Sequence, residues 1–284
     1  MIKVIFGDSR KMSELGDKSV DLVLTSPPYY NAPYDFPDLF PSYDEYLNLL
    51  RDVGNEVFRV LNDGRVAAYV TADVRIGGEL YPIISDLIRI MRELGFKYQE
   101  RIIWKKPDGY IRVSRRSGVL IQNPYPLYYY PDNVYEDIVI FKKPGKFKQI
   151  NKEESKIDIN KFQKEKWYLS VWEITNVLPN SKYSKYTAPF PEELAHRIIT
   201  LYSYVGDTVL DPFAGTGTTL KVAKNLKRKA IGYEIDLELK DVIKERVAMN
   251  TLFEKSDIEI IERGDSKRLR TKLRKKIEEN LQKR

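Results

Sequence analysis

The chain has 284 residues, 31% of them charged, and a formal charge of +7, enough length to bury the core of one large α/β domain with a sizeable insertion. With no Cys and a single His, disulfides, thiolate metal sites, a thiol nucleophile and histidine metal clusters are excluded, while the positive charge favours a polyanionic partner. No signal-peptide pattern or apolar run of about 18 residues appears, so the chain reads as soluble, cytoplasmic and without a membrane partner, and abundant Lys, Glu and Ile without Cys suit a thermophilic source.

Lys3 to Phe6 reads as a strand, Gly7-Asp8-Ser9 as the turn at its carboxyl end, and Arg10 to Leu15 as a short helix. Together with a strand from Val20 to Leu24 they make a tight βαβ unit. Asp8 is either a ligand contact, since open α/β sheets place these just past strand ends, or a helix N-cap. After Leu24 comes Thr25-Ser26-Pro27-Pro28-Tyr29. Its two prolines forbid both helix and further ladder pairing, so the segment is a stiff loop. Such a loop fixes backbone carbonyls, one hydroxyl and one aromatic ring in constant geometry, as a positioned reaction on a flat heterocycle requires. Taken alone it also fits a plain strand followed by a Pro-Pro turn.

Asn31 to Ser42 has no helix or strand period, and its Tyr34, Phe36 and Phe40 suit a loop packing over a ligand or the core. Tyr43 to Leu61 is a helix with Tyr46, Leu50, Val53, Val57 and Leu61 on one face, ended by Asn62-Asp63-Gly64 before a strand from Arg65 to Thr71. A helix from Tyr81 to Leu94 stops at Gly95, and the strands Phe96 to Trp104 and Asp137 to Phe141 suit pairing with each other. Between and after those strands the character changes. Lys105 to Arg116 is basic and Gly-punctuated, Tyr125 to Tyr135 carries a tyrosine cluster, and Lys142 to Lys166 is polar. Cations interleaved with rings suit a nucleic-acid surface, with Lys105, Lys106, Arg112, Arg115 and Arg116 as its contacts; residue by residue, a solvated loop with core tyrosines fits equally.

Pro191 opens a helix running Glu192 to Tyr202, in which His196, lacking any His or Cys companion, reads as structural. Asp207 to Leu210 is a strand, and Asp211-Pro212-Phe213-Ala214-Gly215-Thr216-Gly217-Thr218-Thr219 a Gly-rich turn opening the helix Leu220 to Leu226. The next strand, Ala230 to Tyr233, ends in Glu234. Gly215 and Gly217 permit close backbone approach to a ligand, and Glu234 is placed for ribose hydroxyls. A phosphate-binding loop lacks its Gly-Lys-Ser/Thr here. Leu220 fills the third-glycine position of the dinucleotide fingerprint, so a nucleoside without phosphates is favoured. An NAD oxidoreductase is the rival reading. In the tail, Ile258 to Ile261 with Gly264-Asp265-Ser266 echoes Val4 to Ser9, as an extra edge strand or a rival for the role of Asp8, and Lys267 to Arg284 reads as an exposed basic helix.

A doubly wound sheet aligns its strand carboxyl ends on one edge, so the two motifs can adjoin. Together, Thr25-Ser26-Pro27-Pro28-Tyr29 and the turn Asp211 to Thr219 resemble the β-class DNA amino-methyltransferases, in which the catalytic motif precedes the cofactor motif. Phe190-Pro191-Glu192-Glu193-Leu194, Gly232-Tyr233-Glu234 and Val171-Trp172-Glu173-Ile174 match as well. Tyr186 departs from a His often found there, and the tail beyond Asn250 has no match. The resemblance implies a doubly wound, mostly parallel Rossmann-like sheet in permuted motif order. It divides the chain into a catalytic half at 1–106, an inserted target-recognition region at 107–185 with a returning strand near 136–143, and a cofactor half with a charged tail at 186–284.

The resemblance also implies S-adenosylmethionine as cofactor. Asp8 would bond its adenine amine, Asp211, Phe213, Gly215 and Gly217 would form its pocket, Glu234 would hold the ribose, and Thr218 and Phe190 would lie near the methionine end. Ser26 Oγ and the Pro27 carbonyl would hold the hydrogens of an exocyclic amine in the Ser26-Pro27-Pro28-Tyr29 loop, with Tyr29 stacked on a base swung out of double-stranded DNA. Methylation at cytosine carbon 5 needs a cysteine, which is absent. Adenine enzymes usually carry Asp or Asn where Ser26 stands, so cytosine N4 is the expected target and adenine N6 the runner-up. No metal is implied. A restriction endonuclease acting on the same DNA site without a stable complex would be the companion, and the enzyme a monomer or homodimer.

Overall fold

The computed structural model describes residues 1–32, 38–107, 115–177, 189–248 and 258–269, with side chains at 115–118 left out. Nine of the strands among them are β1 (Ile2–Phe6), β2 (Val20–Thr25), β3 (Leu61–Thr71), β6 (Lys97–Lys105), β7 (Tyr135–Lys142), β8 (Val171–Glu173), β9 (Thr208–Asp211), β10 (Lys229–Glu234) and β11 (Ile258–Glu262). They form one sheet in the order β11-β1-β10-β9-β2-β3-β7-β6-β8. A separate hairpin pairs β4 (Val74–Ile76) with β5 (Glu79–Tyr81). Only β7 runs against the rest of the large sheet, antiparallel to both β3 and β6. The sheet is therefore doubly wound and mostly parallel, as expected.

Both faces of the sheet are covered, which is why its strands are nearly continuous apolar runs. Helices α1 (Tyr43–Val60) and α2 (Ile83–Glu93) cover one face, where Val23, Leu50, Val53, Val57, Leu87 and Phe141 pack. Ser42 caps α1 by accepting from the Glu45 amide at 3.2 Å. On the other face α5 (Glu192–Tyr202), α6 (Thr218–Asn225) and α7 (Lys240–Ala248) enclose Val4, Leu22, Leu24, Val209, Leu194, Ile198 and Leu220. Alternate β2 side chains thus serve opposite layers.

Three expectations are corrected. β1 and β2 are not neighbours: β10 and β9 lie between them, so no tight βαβ unit forms and β1 sits between β11 and β10. Residues 7–19 form turns instead of a helix, because side chains capture the backbone groups a helix would use. The Met12 amide donates to Glu56 at 2.6 Å, Arg59 donates to the Met12 and Leu15 carbonyls at 2.9 Å each, and the Arg10 amide donates to Asp8 at 3.0 Å. Third, Asn62-Asp63-Gly64 does not separate helix from strand but lies inside β3 as an irregularity, where partners of Val20 and Leu22 jump from Leu61 to Val66. Gly64 has φ +73°, and a Cβ there would meet the Gly145 carbonyl at 2.9 Å. Strand β8 and helices α3 (Arg115–Gln122) and α4 (Ile159–Lys164) were not read from the sequence. The expected helix at 267–284 lies, beyond Leu269, outside the described residues; β11 is an edge strand parallel to β1.

The two sequence halves are also tied at the amino end of the sheet. Arg65 of β3 pairs with Asp207, before β9, through two bonds of 2.8 and 3.1 Å, flanked by the Phe147 and Tyr204 rings. Burial raises the Asp207 carboxyl above its usual range, with Arg65 acting against that shift. Arg65→Met leaves the carboxylate buried without its cation, so a loss of about 3–5 kcal/mol in unfolding free energy is expected in urea titrations.

Candidate active site

Because β1, β10, β9 and β2 are adjacent and parallel, their carboxyl ends deliver Gly7-Asp8, Glu234, the Asp211 turn and the Ser26 loop to one place. These surround a cavity of about 410 Å³, in the size range of small-molecule sites. Asp8, Ser26, Pro27, Pro28, Tyr29, Phe190, Asp211, Phe213, Gly215, Thr218 and Glu234 all line it. Gly217 does not. It caps α6 with φ +84°, and its Cα faces Ile243 and Val247 of α7.

Asp211 joins the two motifs. It is 2% exposed. One carboxylate oxygen accepts from the Thr25 hydroxyl at 2.6 Å and the Phe213 amide at 3.1 Å; the other accepts from the Thr219 hydroxyl at 2.7 Å. Burial pushes its pKa up to about 6, despite those three donors. The role expected of Asp211, lining the cofactor pocket, is thus accompanied by a tie across strands β2 and β9 that local sequence could not reveal.

Four of the turn amides are already committed. The Phe213 amide donates to Asp211, that of Ala214 to the Tyr233 carbonyl at 2.8 Å, that of Gly215 to Glu234 at 2.8 Å, and that of Gly217 to the Ala214 carbonyl at 2.7 Å. A pyrophosphate would need such amides as donors, and these four are not open to one. Glu234 also accepts from the Asp236 amide at 2.9 Å, which fixes its carboxylate beside the turn. Arg246 of α7 donates to the Thr216 hydroxyl and contacts Glu192 of α5. The wall is mixed. Apolar Phe190, Pro212 and Phe213 alternate with the carboxylates of Asp8, Glu45 and Glu234, a lining that fits a flat nucleoside carrying a sulfonium cation.

Other lining residues escaped the sequence reading: Arg10, Glu45, Leu49, Lys267 and Leu269. Arg10 donates to Asp8 at 2.6 Å, and burial of the carboxyl is outweighed by these bonds, so Asp8 titrates below its ordinary value. Asp265 stands behind Asp8. It is held by Arg263 at 2.5 Å and accepts from the Asp8 amide at 3.4 Å, so Asp8 is the one of the pair that lines the cavity. The tail reaches the site because Lys267 bridges to Asp236 and donates its amide to the Ile235 carbonyl. Phe40 lines the cavity too, with its backbone held twice by Asn31 at 2.8 Å and its ring 5.1 Å from that of Tyr46; Tyr34 and Phe36 lie outside the described residues.

The basic residues are placed variously. Lys105 is 3.6 Å from Glu173 and Lys106 2.7 Å from Glu136. Arg115 and Arg116 open α3, with their side chains outside the described residues, as is Arg112. Beyond α3, Tyr125, Leu127, Tyr128 and Tyr129 are exposed. His196 packs edge-on to Trp167 at 5.6 Å, away from the residues lining the cavity, and burial lowers its pKa.

A family profile described as DNA methylase, covering the N6 and N4 enzymes, matches residues 20–245. The chain belongs to this DNA methylase family. Two curated relatives agree: the type II methyltransferase M.MjaI of Methanocaldococcus jannaschii, 36% identical with 87% of this chain and 91% of the relative covered, and M.MthZI of Methanothermobacter thermautotrophicus, 35% identical with 86% and 76% covered. Among solved structures, the protein TTHA0409 of Thermus thermophilus, in complex with S-adenosyl-L-methionine, superposes with a TM-score of 0.73 at 30% identity, covering 92% of this chain and 98% of that one. The DNA methylase uses S-adenosylmethionine, in keeping with the carboxylates of Asp8, Glu45 and Glu234 along the cavity. No helix among the described residues is long and apolar enough to cross a membrane.

Proposed function

We propose that this DNA methylase modifies the exocyclic N4 amine of a cytosine extruded from duplex DNA, within a type II restriction-modification system. The observation that carries the choice of base is Ser26: the cavity beside the Gly-rich turn presents a serine in Ser26-Pro27-Pro28-Tyr29, where adenine enzymes of this class usually have Asp or Asn. An exocyclic amine is a weak nucleophile because its lone pair is delocalised into the ring. Ser26 Oγ and the Pro27 carbonyl accept its hydrogens and favour the tetrahedral form, whose lone pair is available. Serine is no strong base, so the proton leaves to solvent after transfer. Tyr29 supplies a stacking surface for the extruded base. Bound S-adenosylmethionine supplies an electrophilic methyl group; Phe213, Gly215 and Glu234 would hold its nucleoside and Asp8 its adenine amine, with Thr218 and Phe190 toward its methionine. Most of the acceleration comes from fixed placement, a contribution of up to roughly 7–11 kcal/mol.

Duplex contacts are assigned to the region of α3 and the following tyrosines, whose exposed rings suit bases. A companion endonuclease acting on the same DNA site without a stable complex belongs to this reading, and the names of two relatives as type II methyltransferases are in line with it. Expression in a host without N4 methylation, followed by base-resolution sequencing, tests this reading. The expected result is modified cytosine at nearly every copy of one short sequence; modification at adenine, or scattered without a recurring sequence, runs against it.

A further inference from the structure

Tyr29 lies beyond the end of β2, yet its hydroxyl reaches across β3 to β7, donating to Glu136 Oε2 at 2.7 Å. The other Glu136 oxygen is 2.7 Å from Lys106 Nζ, itself 5.4 Å from the centre of the Trp104 ring. Trp104 is 1% exposed and donates its indole N–H to the Ile174 carbonyl at 2.8 Å. Glu136 and Trp104 face each other in the β6–β7 register. A catalytic-loop ring is thus anchored, through a carboxylate and a lysine, to a fixed element of the sheet three strands away from β9. Side chains that place a reacting partner act this way when their own positions are set by packing and further hydrogen bonds.

We infer that Glu136 is a positioning residue for base modification: it sets the plane of the Tyr29 ring against which the target base stacks, and Lys106 holds Glu136 for that task. The inference rests on the functional reading above. Lys106 then serves the active site first, and its loss acts through Tyr29 geometry more than through phosphate contact.

A double-substitution cycle tests it, with labelled methyl transfer to duplex DNA as the rate and a 2-aminopurine at the target position reporting extrusion. Glu136→Ala and Tyr29→Phe should each lower kcat by about 10- to 100-fold, and the double variant should lose no more than either alone. Glu136→Gln, which keeps an acceptor, should recover most of the rate. The KM for S-adenosylmethionine and the thermal midpoint should stay unchanged, and the 2-aminopurine signal should drop in the Ala and Phe variants alike. Multiplying losses, an unaltered kcat in Glu136→Ala, or a parallel fall in cofactor affinity overturns the positioning role while leaving the methylase reading intact. No methyl transfer to DNA by the unsubstituted protein overturns both.

Discussion

Ser26→Ala is expected to cut methyl transfer by about 10²-fold or more while leaving S-adenosylmethionine binding unchanged. The loop is rigid before substrate arrives. Thr25 is pinned to Asp211, the two prolines fix the backbone, and the hydroxyl of Tyr29 is held by Glu136. Removing Oγ therefore deletes an acceptor without releasing the loop, and the Pro27 carbonyl sustains what rate remains. The residues proposed to hold the cofactor follow β1, β9 and β10 or precede α5, outside the Ser26 loop, so its affinity should not respond. Single-turnover rates and calorimetry on the same preparation separate the two quantities. Unchanged turnover would remove Ser26 from the chemistry.

Asp211 gives the second large effect. Asp211→Ala leaves the Thr25 and Thr219 hydroxyls and the Phe213 amide without their shared acceptor, each at a cost of about 1–3 kcal/mol. Both walls of the cavity should loosen, so kcat and cofactor affinity fall together, with kcat down by about 10²-fold. That coupled loss distinguishes Asp211 from Ser26. The carboxyl also leaves a mark on stability. Its pKa rises from an ordinary 3.8 to about 6 on folding, so between those values the folded state keeps a proton that the unfolded state releases. Stability from this group is full below pH 3.8 and is lost as pH rises toward and through 6, by about 3 kcal/mol. Asp211→Asn should abolish that component. Unfolding free energies of the two proteins, compared from about pH 4 to about pH 7, should diverge with this sign; parallel curves would contradict it.

Both chemical motifs were legible because each carries strong local constraints. Consecutive prolines at 27 and 28 fix a loop, and the Gly-rich turn with its αL Gly215 and Gly217 opens a helix. Apolar periodicity sufficed for α1, α2 and α5. What sequence could not show was set by distant partners. The turns at 7–19 exist because Glu56 and Arg59, more than forty residues away, capture their backbone. β1 takes its place only through pairing with β10 and β11, both more than two hundred residues away, and Glu136 meets Tyr29 across 107 positions. Short β8 lacks a period long enough to read, and is held because Trp172 is buried beside Trp104 and pairs with it in register. Gly217 was read as a cofactor contact from its motif, yet its place beneath α7 depends on Ile243 and Val247, which the motif does not contain.

Ser26 and the Gly-rich turn line one cavity, proposed above to modify a cytosine amine. Incubating the purified protein with methyl-labelled S-adenosylmethionine and duplex DNA, then digesting the DNA to nucleosides, tests it most directly. The predicted result is label in N4-methyldeoxycytidine, lost in Ser26→Ala; label in N6-methyldeoxyadenosine, or none in the DNA, would contradict it.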